Sequence, residues 1–168
     1  MKHQNRIARF AAALAITLLA ALPTIAPAQA LSDYVENKSI DLLLRAQAWT
    51  APSTINVGLS TAACSDSSIG TEVTGGSYAR VAVTASLANW AGTQSAGSTS
   101  ASSGTGGQTS NNAAVTFPTP SAGWGTVTHF FLHDGTNLLV CQALTTSKTI
   151  NSGDSVSFAI GAITLTLQ

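Results

Sequence analysis

The chain has 168 residues, enough for one domain with a full core and too few for two ordinary ones. Charged residues are 8% of it, against roughly 25% in typical soluble domains, and hydrophobic residues are 45%, which excludes a highly charged, weakly hydrophobic disordered chain. Setting aside the first 30 residues leaves Lys38, Arg45, Arg80 and Lys148 against seven acids, a net of −3 that excludes the basic stripe nucleic-acid binding needs.

Residues 1–30 read as an export signal. A basic start (Lys2, Arg6, Arg9) precedes an uncharged Ala/Leu-rich run from Phe10 to Leu22, which is too short to span a bilayer. Pro23 and Pro27 break the helix, and Ala28-Gln29-Ala30 supplies a small-x-small cleavage site before Leu31. The predicted domains are therefore a signal peptide at 1–30, cut between Ala30 and Leu31, and one β-rich domain at 31–168. No stable membrane span is expected after removal of the signal. Export places the product in the periplasm or outside the cell.

One helix follows, over about 32–48. Ser32 or Asp33 caps it, and Asp33 with Glu36 has the form of a capping box. Val35, Leu42 and Ala46 make an apolar stripe that Ile40, Leu43 and Leu44 widen. Trp49-Thr50-Ala51-Pro52 ends it, because the residue before a proline disfavours the α region.

The period then changes to two. Ile55, Val57 and Leu59 alternate with smaller or polar residues, as do Val81, Val83 and Ala85, then Val156, Phe158 and Ile160, then Ile163, Leu165 and Leu167. Each pattern predicts a strand with one buried and one wet face. Asp134-Gly135, between two apolar runs, predicts a hairpin with a type I′ turn. Residues 91–112, "AGTQSAGSTSASSGTGGQTSNN", hold no charge and no large apolar side chain, which predicts a flexible loop at one end of the domain. The fold class is mainly β: an antiparallel sandwich or barrel-like domain with one short N-terminal helix.

Chemistry is sparse. There is no G-x-S-x-G elbow, P-loop or H-E-x-x-H, and the glycines at 104–107 lack a following helix. His129 and His133 are the best metal candidates. On a regular strand they share a face with Val127 and Phe131, beside Asp134, but no third ligand is evident, and the plainer expectation is a half-buried His129 and a His133 flanking the turn. Asp41, Asp66, Glu72 and Asp154 are dispersed, with nothing to pair two carboxylates for glycoside chemistry. Trp49, Trp90 and Trp124 read as core or loop anchors sooner than as a sugar-stacking surface. No catalytic residue, cofactor or metal is expected.

Cys64 and Cys141 leave two readings open. In an oxidising compartment they can pair, closing a loop worth on the order of 4 kcal/mol in the chain-entropy model. Alternatively Cys141, in the run Leu138-Leu139-Val140-Cys141, is a buried thiol acting as a small hydrophobe.

Five blocks carry a family likeness: "LSDYVENKSIDLLL" (31–44), "TAPSTINVGLSTA" (50–62), "GTEVTGGSYARVAVT" (70–84), "NNAAVTFPTPSAGWGTVTHFFLHD" (111–134) and "NLLVCQALTTSKTINSGDSVSFAIGAITLTL" (137–167). In this order they resemble a family of small phage virion proteins, tail-fibre-like or head-decorating. Gly75–Arg80 and Trp124–His129 are the most specific parts. The resemblance implies a β-sandwich-like domain with a short N-terminal helix and a non-enzymatic role in the particle. It also implies contacts with other virion subunits or with itself, as a homo-oligomer such as a trimer, and location in the virion. The members it resembles begin beside the "LSDY" block without an export signal. A second reading therefore stands beside the first: an exported bacterial surface or periplasmic binding domain that reuses the fold. A secreted hydrolase is third, and would need His129, His133 and an acid to converge.

Overall fold

The structure, a computed structural model, describes residues 31–167; the signal-peptide reading of 1–30 lies outside them. One helix, α1 (Asp33–Leu44), precedes eight strands. These are β1 (Thr54–Ser60), β2 (Val81–Thr84), β3 (Gln108–Ser110), β4 (Val115–Thr116), β5 (Gly125–His133), β6 (Leu138–Ile150), β7 (Ser157–Phe158) and β8 (Thr164–Thr166). The main sheet has the order β2-β1-β5-β6, and the short pairs β3-β8 and β4-β7 form two ribbons. All these pairings are antiparallel. The fold is mainly β with a single short helix near its N-terminus, as the residue patterns predict.

The core lies between the sheet and the ribbons. Val57, Leu59, Val127, Phe130, Leu132 and Val140 come from the sheet and meet Val115, Phe117, Trp124 and Ile163 from the ribbon side. A two-layer arrangement lets short strands bury one common apolar volume that neither ribbon could bury alone.

α1 starts where expected and stops earlier. Ser32 is its cap: it has extended backbone, and its Oγ accepts the Val35 N–H at 3.3 Å. The helix ends at Leu44 because Ala46 takes a positive φ of 54°, which turns the Gln47 N–H back to the Asp41 carbonyl at 3.0 Å. Its expected apolar stripe is not a buried stripe. Val35 alone in the helix is buried.

β1 also departs from expectation. Its last four residues, Val57 to Ser60, are all buried, so the predicted wet face is dry there. The cause is Gly58. A Cβ at this position would lie 2.2 Å from Phe131 Cζ, so the missing side chain is what lets the Phe131 ring lie over the strand on the face away from the core.

β5 contains an irregularity between Val127 and His129, where the pairing to β6 jumps from Lys148 to Ala143. Such a bulge shifts the side-chain phase. Val127 joins Phe130 and Leu132 in the core cluster, whereas Phe131 and His133 contact each other on the opposite face, with ring centroids 6.5 Å apart. The sequence expectation that His129 and His133 share a face with Val127 is therefore corrected: the strand is not regular through Thr128.

The β5–β6 hairpin forms, though not through a two-residue type I′ turn. Residues 134–137 make a four-residue loop in which Asp134 Oδ1 accepts the N–H groups of Thr136 (2.7 Å) and Asn137 (2.6 Å). Asparagine and aspartate favour turns by this route, a side chain standing in for a backbone acceptor.

The Ser/Gly tract is tied down at its ends. Ala91 donates to the Ser110 carbonyl at 2.8 Å, and β3 lies inside the tract, paired with β8. Asn111, 1% exposed, anchors this end of the domain. Its Nδ2 donates to the carbonyls of Ala113 and Ala159, and its Oδ1 accepts the Ile163 N–H, all at 2.8 Å.

Candidate functional site

Two polar and aromatic constellations dominate, and they meet at Tyr78. Gly75, Gly76 and Ser77 take φ values of 71°, 52° and 63°, a left-handed run open to glycine and strained for most other residues. At Gly76 there is a second reason for glycine: a Cβ would approach the Ala122 carbonyl oxygen at 2.8 Å and Trp124 Nε1 at 2.9 Å. The close approach lets the Gly76 carbonyl accept both the Trp124 indole N–H (2.9 Å) and the Ser121 N–H (3.0 Å). The blocks Gly75–Arg80 and Trp124–His129, singled out in the sequence, thus form one docked corner.

Tyr78 joins this corner to the sheet. Its ring packs edge-on against Trp124 with centroids 5.3 Å apart and stacks on Phe117 at 6.2 Å. Its hydroxyl accepts the Leu59 N–H at 2.8 Å and donates to Glu72 Oε1 at 3.1 Å. β2 begins only at Val81, so the Leu59 N–H lies beyond its reach, and the tyrosine supplies the missing acceptor. Burial, then the neighbouring Glu72 carboxylate, push the Tyr78 hydroxyl well above the ordinary phenol range, so it stays a donor.

Glu72 closes the clamp. Arg80 Nε and Nη2 meet its two carboxylate oxygens at 2.7 and 2.8 Å, a bidentate pair. Burial alone would raise the Glu72 carboxyl; the Arg80 hydrogen bonds and charge outweigh it and hold the group below the usual glutamate range. The same guanidinium sits 5.0 Å over the Phe131 ring. Burial and the Arg80 charge together depress His133, whose Nδ1 accepts the Gly135 N–H at 3.0 Å. Glu72 and Arg80 thus neutralise each other at this corner.

The residues predicted as site candidates do not converge. His129 is half-buried with its Nδ1 2.8 Å from Thr128 Oγ1, and His133 flanks the turn. Asp41 of α1 pairs with Arg45, the residue that caps the helix C-terminus, at 2.9 Å. The Asp66 carbonyl accepts the Asp33 N–H, and the Asp154 carboxylate accepts the Asn151 N–H. Among the described residues no three His, Cys, Asp or Glu side chains gather as a metal site. Trp124 is 5% exposed, while Trp49 and Trp90 are half-buried against the core cluster. An open groove of about 390 Å³ runs beside β6, lined by Phe130, Phe158, Gln142, Thr146 and Lys148, with Lys148 its one ionisable group.

Cys64 and Cys141 are brought together with their Cα atoms 6.2 Å apart and their sulfurs in bonding contact. The neighbouring chain is the start of the described domain. Leu31 bridges to Val140, and the Ser32 N–H donates to the Leu139 carbonyl at 3.0 Å. The clamp itself escaped the sequence reading. Glu72, Tyr78 and Arg80 show the signal only as three polar residues closely spaced in a charge-poor chain.

Fold and site together describe a β-rich module with a hydrogen-bonded corner built on Glu72, Tyr78, Arg80 and Trp124. The family model described as podophage GP4 fiber I protein gp80 matches residues 30–166, and the chain belongs to that family. It is accordingly a member of a phage structural protein family. No curated protein matches the chain.

Proposed function

We propose that the protein is a non-enzymatic fibre subunit of a phage or prophage particle, held by protein–protein contacts. The family match over 30–166 carries this reading. The clamp geometry supports it, since Glu72, Tyr78, Arg80 and Trp124 are engaged in hydrogen bonds and ring contacts within one corner. A fibre position is favoured over capsid decoration by the family's own description. Gold-labelled antibody against the purified protein should mark fibres in electron micrographs of particles. Label confined to capsid shells would contradict the fibre position.

Export remains part of the proposal. Residues 1–30 act as a cleaved signal, and 31–168 is the mature domain. The match begins at Ala30, one residue before the proposed new N-terminus. The juxtaposed Cys64 and Cys141 favour passage through an oxidising compartment. The same observation favours the second reading, a bacterial surface or periplasmic domain that reuses the fold. Intact mass from an exporting host should correspond to a chain starting at Leu31 and lacking two hydrogens. Retention of residues 1–30 sinks the export proposal, and full-hydrogen mass sinks the disulfide.

A further inference from the structure

Where α1, the main sheet and the β3–β8 ribbon meet, an open cleft of about 240 Å³ is lined almost wholly by apolar side chains. Trp49 and Pro52 come from the segment after α1, Ile55 from β1, Leu165 from β8 and Trp90 from the approach to the Ser/Gly tract. All five are half-buried, and among the described residues none that lines the cleft is ionisable. Both indoles are held in place. Trp49 meets Tyr34 edge-on with centroids 6.2 Å apart. Trp90 bridges Asn111, and its backbone N–H donates to the Ser86 carbonyl at 3.0 Å. Its indole is the exception in this well-satisfied domain: Nε1 is buried, and no atom among the described residues accepts its proton.

We propose that this cleft binds a small, neutral aromatic molecule whose carbonyl oxygen accepts the Trp90 indole N–H. An indole nitrogen is a donor only, and a buried donor without an acceptor is costly enough that native proteins rarely keep one. A single water answers it poorly. An ordered water takes about two to four polar partners, and besides the tryptophans Thr109 is the one polar side chain in the described lining. Its hydroxyl already donates to the Ala91 carbonyl at 2.8 Å. The lining also narrows the class of ligand. With no ionisable group to meet it, a charged ligand would lose its hydration for nothing, and a sugar would strand most of its hydroxyls. Aromatic rings suit a lining with two indoles, which favour stacked or edge-on partners. Size agrees: an apolar cavity of about 150 Å³ takes up benzene, so this cleft admits one or two rings with a short substituent.

The test titrates the whole chain, labelled with nitrogen-15 and purified from an exporting host, to millimolar concentrations of two probes. Acetophenone is a neutral aryl ketone, and cumene is a hydrocarbon with the same number of heavy atoms. The indole N–H signals, assigned with Trp49→Phe and Trp90→Phe, are followed by NMR. Acetophenone should move the Trp90 signal downfield and saturate; cumene should saturate without the downfield move. The Trp124 signal, fixed on the Gly76 carbonyl, should stay in place and so reports an intact fold. Trp90→Phe should weaken acetophenone about fivefold more than cumene, the worth of one hydrogen bond. Leu165→Phe is a second variant should Trp90→Phe misfold: it fills the cleft from the ribbon, and both probes should lose saturable binding. A Trp90 signal that neither probe saturates, or equal losses for both probes on Trp90→Phe, would overturn the proposal. So would a Trp90 signal that shifts with protein concentration alone, because a second copy of the chain then covers the cleft.

Discussion

Tyr78, Glu72, Arg80 and Trp124 close hydrogen bonds within one corner of the domain, whereas Ile40, Leu42, Leu43 and Leu44 of α1 are about half or more exposed. The corner spends glycines at Gly75 and Gly76 so that a turn can sit on the Trp124 indole. The helix leaves apolar surface uncovered beyond Val35. A chain with so few charges does both because packing carries its stability and little charge is needed to keep it folded. The difference separates what holds the module together from what it leaves exposed.

That contrast can be broken by stability measurements, beginning with the largest effect. Trp124→Ala removes a buried aromatic and leaves the Gly76 carbonyl without its indole donor; a loss of about 3–5 kcal/mol is expected in urea unfolding. Reduction of Cys64–Cys141, which are separated by 77 residues, should cost about 4 kcal/mol in the chain-entropy model, read as a lower denaturation midpoint in reductant. Asn111→Ala strands the Ile163 N–H and two carbonyls, and a loss of roughly 2–4 kcal/mol is expected. At the helix the prediction reverses: Leu43→Ser should change unfolding by no more than about 0.5 kcal/mol at dilute concentration. A helix variant as damaging as Trp124→Ala would erase the distinction between the two regions.

Acid sharpens the same contrast. Glu72 is depressed in the folded state, so its stabilising contribution is fully present above the ordinary glutamate range. It is lost as pH falls through the lowered folded value. His133 is depressed too, so its neutral form favours the fold above the ordinary histidine value and that preference fades on the acid side. Glu72→Gln should cost roughly 2 kcal/mol near neutral pH, between the values for exposed and buried ion pairs. The gap to wild type should close in acid. A gap that stays constant from neutral to acid pH would show that the carboxylate charge does not hold the corner.

Much of the fold was legible because its signals are local. Ser32 sits where a cap should be, and Val57 with Leu59 and Ile163 with Leu165 lie in or beside paired strands. Asp134-Gly135 marks a hairpin. Other features depend on contacts distant in sequence. Phe131 over Gly58 makes the outer face of β1 dry, and the shift at Thr128 puts Val127 opposite His133; neither follows from a period of two. The clamp was hidden for the same reason, because Tyr78 finds the Leu59 N–H only once β2 stops short at Val81. α1 misled in the other direction. Its leucines fit a core-facing stripe in sequence, yet the structure gives the body only Val35.

If this domain is a structural part of a phage particle, quantitative peptide mass spectrometry of gradient-purified particles will find it there. Peptides from across 31–168 are expected at a fixed ratio to the major capsid protein, retained through repeated banding. Particles that band intact without those peptides, while the protein accumulates in the periplasm or medium, would contradict it.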